Sequence, residues 1–298
     1  MIISVSRRTD IPAFFTEWFF NRLREGFALV RNPFNYHQVF KVKLDPSVVD
    51  CIVFWTKNPG KILPKLKDLS PYNYYFQITL NAYDQRLERY LPPKEEIIKS
   101  FQALAEKIGK EKTIWRYDPI ILTKDMDVRY HAENFGKIAS QLKGYTERCI
   151  ISFVYVYQKT ERNLKPIKPK LITEAKKLEI AKVLAELAGE NNFKLMTCCE
   201  QLDLSFLGIE HARCIDDSLI SRITGRELKV LKDKNQREVC GCVASVDLGA
   251  YNSCRHGCLY CYANYSDSAV KNNVAKHDPN SPLLIGSVEP GDKIKERR

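Results

Sequence analysis

Apolar positions along the first two thirds of this chain fall into short strand-like runs, each followed by a polar loop and then by a segment of helical spacing. Ile2-Ile-Ser-Val-Ser6 alternates apolar and small side chains as a buried strand does, and Arg7-Arg-Thr-Asp10 with Pro12 breaks it. From Phe14 to Arg24 the positions of Phe15, Trp18, Phe19 and Leu23 follow a helix, and Gly26 stands where a helix C-cap glycine belongs. A short strand is expected over 28–30.

The same unit then recurs. Strands are expected over 50–55, 74–79, 113–117, 149–156 and 193–197. Helices are expected from about Lys61, over 94–108, over 131–142 and over 173–188, the last capped by Thr173 and stopped by Gly189. Polar residues collect at the strand ends: Lys57-Asn58, Asn81, Arg116 with Asp118, Gln158, and Cys198-Cys199. Six or seven βα repeats of this kind predict an α/β fold, a complete or partial TIM-like barrel whose working face is the C-terminal end of the strands. A doubly wound open sheet is the alternative, but no glycine-rich phosphate loop of the Rossmann or P-loop type accompanies it. The repeat ends near residue 200. A charged segment over 218–238 reads as a solvated helix, and Cys240-Gly-Cys242 then leads into a strand over 243–248.

Composition narrows the picture in two ways. With 298 residues, 44% hydrophobic and 28% charged, the chain has an ordinary globular make-up. Its start does not read as a signal peptide, and no apolar run reaches the eighteen or so residues of a membrane span. The ten cysteines are therefore expected in a cytoplasmic setting, reduced or bound to metal. The net charge of +11 suits either solubility or a polyanionic substrate or partner.

The candidate chemistry lies in Cys254-Arg-His-Gly-Cys258-Leu-Tyr-Cys261. A structural zinc or a storage cluster takes four protein ligands, whereas three thiolates leave one iron of a cubane open to chelate a cofactor. This spacing, with aromatic Tyr260 before the last cysteine, resembles the radical S-adenosylmethionine (SAM) superfamily. The chain also resembles an uncharacterised domain family with a C-terminal Cys-x3-Cys-x2-Cys-Tyr-Ala-Asn ending, here Cys254 to Asn264. The superfamily resemblance implies a [4Fe-4S] cluster on Cys254, Cys258 and Cys261, and SAM against Tyr260. It implies reductive cleavage of SAM to a 5′-deoxyadenosyl radical, fed by an electron donor such as flavodoxin or ferredoxin.

In that superfamily the cluster loop follows the first barrel strand, yet here it stands near the C-terminus, which a circular permutation explains. Residues 2–6 are then the second strand, expected to pair in parallel with 243–248, within a barrel over 1–265 on which 266–298 packs as an extension. The superfamily's SAM amino-group segment is replaced by Arg7, Arg8, Thr9 and Asp10. Ribose, carboxylate and substrate are expected to meet Asp10, Lys57, Asn58, Asn81, Arg116, Asp118 and Gln158, with Trp55, Tyr117 and Tyr155 as pocket or core aromatics.

Of the remaining cysteines, Cys51 and Cys149 sit in apolar strands as buried thiols. Cys240 and Cys242, spaced by a glycine, are expected to join Cys214 and either Cys199 or Cys198 as a second [4Fe-4S] cluster or a zinc site. That requires the segment before 243 to pass over the face carrying the strand ends. His211 and His256 are alternative ligands or hydrogen-bonded histidines. Two other functions compete. A zinc-stabilised nucleic-acid-binding protein would use the basic stretch Lys165 to Lys170, and a metal-dependent barrel hydrolase would need a histidine-carboxylate cluster the chain lacks.

Overall fold

A computed structural model describes residues 1–155 and 158–297. The strands are β1 (Ile2–Val5), β2 (Phe27–Asn32), β3 (Asn35–Lys43), β4 (Cys51–Thr56), β5 (Tyr74–Thr79), β6 (Thr113–Ile120), β7 (Arg148–Phe153), β8 (Lys194–Thr197), β9 (Glu210–His211), β10 (Val246–Asp247) and β11 (Lys293–Arg297). The helices are α1 (Ile11–Phe14), α2 (Thr16–Glu25), α3 (Lys94–Ile108), α4 (Val128–Leu142), α5 (Gln158–Leu164), α6 (Glu174–Glu190), α7 (Asp217–Thr224) and α8 (Asp267–Val274). Among the described residues, none of these helices is long and apolar enough to cross a membrane.

Eight strands form one sheet in the order β10-β1-β4-β5-β6-β7-β8-β9, and every pairing in it is parallel. Strand β1 therefore lies between β4 and β10, with Ile3 opposite Val246 and Ser4 opposite Asp247. The N-terminal strand and the strand that precedes the three-cysteine loop are neighbours, as the sequence reading expects, though β10 is only two residues long.

Side-chain alternation gives the sheet two different faces. Ile3, Ile52, Phe54, Phe76, Trp115, Cys149 and Ile151 pack with Trp18 and Phe19 of α2, Phe101 of α3, Phe135 of α4 and Leu184 of α6 in the main core. The opposite parity puts Ile2, Cys51, Val53, Tyr75, Ile114 and Ile150 in a second core, closed by Ile215, Leu219, Ile220 and Val243. Farther along the same strands this second face turns polar, because Ser4, Gln77 and Arg116 keep the register of those apolar residues. The inner face is thus dry at the strand starts and hydrogen-bonding at the strand ends.

Several elements depart from the expected pattern. The helix foreseen from Lys61 is two 3-10 segments, Pro59–Lys61 and Leu63–Leu69, since Pro59 and Pro64 remove backbone donors in consecutive turns. Helix α6 starts from Thr173 as expected but runs through Gly189 to Glu190, with its C-cap at Asn191. Only Asp217–Thr224 of the charged segment is helical, and Gly225 in the left-handed region ends it. Strand β3, whose polar residues concealed it, pairs antiparallel with β2 and parallel with β11 in a second, three-strand sheet. Of the extension, residues 266–297 reach this sheet after lying across α2, where Trp18 Nε1 donates to the Ser281 carbonyl at 2.9 Å and Arg22 to the Asn280 carbonyl at 2.9 Å.

Candidate metal centre

The three-cysteine loop leaves β10 and is moored to the end of β1 by a half-buried carboxylate. Asp247 accepts hydrogen bonds from Ser4 Oγ (2.9 Å), Ser6 Oγ (2.6 Å), the Arg7 N–H (2.8 Å), Arg8 Nε (3.0 Å) and the Gly249 N–H (2.9 Å). Burial opposes its charge, but Arg8 and these donors hold its pKa below the ordinary value. Position 249 has to be glycine, because a Cβ there would stand 2.0 Å from Ser6 Oγ. Farther on, the loop runs beside residues 87–90: Leu259 N–H donates to the Leu87 carbonyl at 2.9 Å and Tyr90 N–H to the His256 carbonyl at 3.1 Å. Gly257 adopts φ +64 in this contact, and a Cβ on it would meet the Tyr90 ring at 2.6 Å.

Cys254, Cys258 and Cys261 are free thiols of intermediate exposure that act on one another electrostatically. Burial pushes all three upward, Cys254 to about 12, while Lys57 draws Cys258 and Cys261 the other way. Backbone N–H groups of Asp10 and His256 serve Cys254, and those of Ala263 and Asn264 serve Cys261.

Lys57, at the end of β4, donates to Glu88 Oε1 at 2.7 Å and to Tyr260 Oη at 2.8 Å. Glu88 is 1% exposed and also binds Lys94 and the Tyr260 hydroxyl. Burial alone would raise its pKa, yet the two lysines bring it down to about 2. For Lys57 burial works downward and is outweighed by Glu88 and Cys258, so its pKa is raised. Asp10 caps α1 through Ala13 N–H (2.9 Å), accepts from the Lys57 N–H (2.7 Å), and contacts His256 Nε2 at 2.7 Å. His256 Nδ1 is buried and has no hydrogen-bond partner among the described residues.

In the C-terminal half of β6, Arg116 binds Asp118 through Nε (3.0 Å) and Nη2 (2.5 Å), and Asp118 also accepts from Ser152 of β7. Arg116 Nη1 points the other way and donates to Cys214 Sγ at 2.9 Å. Burial works against the charge on Arg116, but Asp118, Cys214 and Cys198 raise its pKa well above the ordinary value. Trp55 lies between two cations, with Arg116 at 5.3 Å and Arg7 at 5.8 Å from its ring. Cys198 Sγ is 3.3 Å from Cys214 Sγ, Cys199 contacts Cys198 and Cys240, and Cys242 contacts Cys240 and Cys214. The segment before 243 does reach the end of β8.

The sequence-derived candidates thus divide by position. Lys57 and Tyr260 gather with the triad, and Asp10 anchors its loop. Arg7 and Arg8 are held by Asp247, and Arg116 and Asp118 stand beside the second set of thiols. Asn58 caps Pro59–Lys61 through the Gly60 N–H. Asn81 pairs with both backbone groups of Asp118 and also donates to Tyr260 Oη at 3.2 Å, the hydroxyl that Lys57 holds. The side chain of Gln158 lies outside the described residues. Tyr117 is core, and Tyr155 is exposed beneath Arg237. His211 contacts Thr197 Oγ1 at 3.2 Å. Sequence reasoning passed over Glu88, Lys94 and Asp247. An acid inside the apolar strand 243–248 was the available signal for Asp247, whereas nothing local marked Glu88. Among the described residues, no three His, Cys, Asp or Glu side chains are spaced as a ready site for a single ion.

Comparison with known proteins adds a family but no activity. None of the curated proteins matches this chain. A crystal structure of a protein proposed to be an alpha-L-fucosidase, from Bacteroides thetaiotaomicron, aligns at 11% identity over 76% of this chain and 84% of that one, with a TM-score of 0.27. A likeness that slight carries no argument about function or fold. Residues 2–263 match the family described as Domain of unknown function (DUF1848), and the chain belongs to that family.

Proposed function

We propose that this protein is an iron-sulfur enzyme of the radical SAM kind, built on a circularly permuted βα barrel. The observation that carries the reading is the company kept by Cys254, Cys258 and Cys261: three thiols of one loop that act on one another electrostatically, beside the half-buried Lys57. The donor set suits a cluster. All three ligands are sulfur, and backbone N–H groups already point at Cys254 and Cys261, as they do where sulfur is held as thiolate. The parallel pairing of β1 with β10 supports the permutation, since it puts Arg7 to Asp10 next to the cluster loop.

Bound there, a cubane cluster would supply the electron for reductive cleavage of SAM, with flavodoxin or ferredoxin as the class of donor. The chain's own part is positional. Lys57 keeps its proton and sets a positive charge against Cys258 and Cys261. Glu88 fixes Lys57 and the Tyr260 hydroxyl, which orients the Tyr260 ring behind the loop. Asp10 and Asp247 tie the loop to β1, α1 and β4.

The test is anaerobic reconstitution with iron and sulfide, followed by chromatography for 5′-deoxyadenosine after addition of SAM and dithionite. Wild type is expected to be brown and to release 5′-deoxyadenosine, and Cys254→Ala, Cys258→Ala or Cys261→Ala to abolish release with loss of the triad's iron. Full iron in all three variants, or a colourless wild type that takes up only zinc, would overturn the reading.

A further inference from the structure

We propose that Cys198, Cys199, Cys214, Cys240 and Cys242 form a second, all-thiolate metal centre on the sheet's polar inner face, separate from the Cys254 loop.

The five sulfurs close a ring of contacts. Cys198 touches Cys214 at 3.3 Å, Cys214 touches Cys242, Cys242 touches Cys240, Cys240 touches Cys199, and Cys199 returns to Cys198. They come from three separate stretches of chain, so local sequence does not bring them together. A ring of five reduced thiols in mutual contact has no packing reason, because a thiol is a weak donor and a weak acceptor that a Val or Ala would replace. Adjacent cysteines ordinarily point apart. Here Cys199 adopts φ 53, a left-handed conformation uncommon outside glycine, and this turn lets both Cys198 and Cys199 face the ring. A non-glycine residue held there is an observed backbone cost that the surrounding structure sustains.

The surroundings are those of a negative centre. Arg116 is 4% exposed and donates to Cys214 Sγ at 2.9 Å. Arg7, also mostly buried and joined to Ser245 at 3.0 Å, acts electrostatically on Cys242 and Cys214. Two guanidinium groups face the ring, with Asp118 as the carboxylate neighbour of Arg116 and Asp233, 4.0 Å from Nη1, as that of Arg7. With four ligating thiolates the ring carries the charge that both cations face. Backbone contacts hold the frame: Ile215 N–H donates to Cys242 Sγ at 3.4 Å, and Tyr75 and Gln77 on β5 donate to the Cys214 carbonyl at 2.7 and 3.0 Å.

A soft all-sulfur set selects zinc or the irons of a cubane, each of which takes four thiolates. On binding, each ligating cysteine gives its proton to solvent. One thiol of the five is then in excess, and the geometry assigns that role to Cys198 or Cys199, the adjacent pair, each able to substitute for the other.

The experiment uses the full chain carrying Cys254→Ala, Cys258→Ala and Cys261→Ala together, loaded anaerobically with iron and sulfide in one arm and with zinc in the other, then desalted. Expected is retention of roughly four iron with four sulfide per chain, or of about one zinc. Adding Cys240→Ser and Cys242→Ser to this variant should bring both arms to background, while Cys198→Ala alone should leave the content unchanged. Absence of either metal from a folded triad variant, judged by far-ultraviolet circular dichroism, would overturn the proposal without touching the triad. Should the triad variant not fold, wild-type stoichiometry decides. More metal than one cluster accounts for supports the second centre, and one cluster's worth or less overturns it.

Discussion

Replacing Glu88 by Gln keeps its shape and removes the charge that balances two lysines. In the native chain the carboxylate is buried, binds Lys57 at 2.7 Å and also Lys94, and its pKa falls from 4.5 to about 2. A depressed carboxylate stabilises the fold above its unfolded pKa, and the contribution disappears as the pH drops through the folded value. At about 1.4 kcal/mol per pKa unit, the depression is worth about 3 kcal/mol at pH 7. The same linkage leaves about 1.4 kcal/mol at pH 3. This agrees with the cost of roughly 3 kcal/mol or more for removing one partner of a buried ion pair. Urea unfolding of wild type and Glu88→Gln, in the same metal state and at a series of pH values from 7 down to 3, measures the difference directly. It should be largest and flat between pH 7 and 5.5, then narrow as the solution becomes more acidic. A difference below about 1 kcal/mol at pH 7, or one that does not change down to pH 3, would refute the account, because the buried charge would then not be what the lysines stabilise.

Three further outcomes follow from the same coordinates. Asp10→Ala removes an acceptor shared by Ala13, Lys57 and His256, and should cost about 3 kcal/mol in urea unfolding. It should also lower iron retained at the triad, measured after reconstitution and desalting. Gly257→Ala forces a side chain into φ +64 and against Tyr90, so it should lose about 2 kcal/mol and most of the triad's iron. Combining it with Tyr90→Ala should restore part of the loss, whereas no restoration would mean that backbone conformation alone is responsible. Trp18→Phe deletes the hydrogen bond to Ser281 and should cost about 1 kcal/mol. Limited proteolysis should then cut within 276–298 faster than in wild type, and unchanged cleavage would show that the segment is held by other contacts.

What the sequence determined by itself is the set of elements whose signal is local. Strand 74–79 and helix 94–108 carry the apolar spacing of their own type and occur at the expected residues. The Thr173 cap and the Gly26 stop are local chemistry too, and both are present. The three-cysteine spacing, read as one loop, was legible because all its residues lie within eight positions. The pairing of β1 with β10 came from topology, through the idea that a permutation makes the first strand and the strand before the cluster loop consecutive. Tertiary structure decided the rest. Glu88 looks like any surface acid until the run of residues 87–90 along the cluster loop buries it between Lys57, Lys94 and Tyr260. Asn58 and Asn81 hydrogen-bond to backbone groups supplied by a 3-10 turn and by a neighbouring strand, and the contact of Asn81 with the Tyr260 hydroxyl exists only in the folded chain. Strand β3 acquired its identity from its partners β2 and β11, because only Val39 and Val42 among its residues are buried in a core. The ring of five thiols depends on the left-handed turn at Cys199 and on where segment 212–243 crosses the sheet. Neither is written in local propensity, because a contact between residues forty positions apart is set by how the whole sheet is covered.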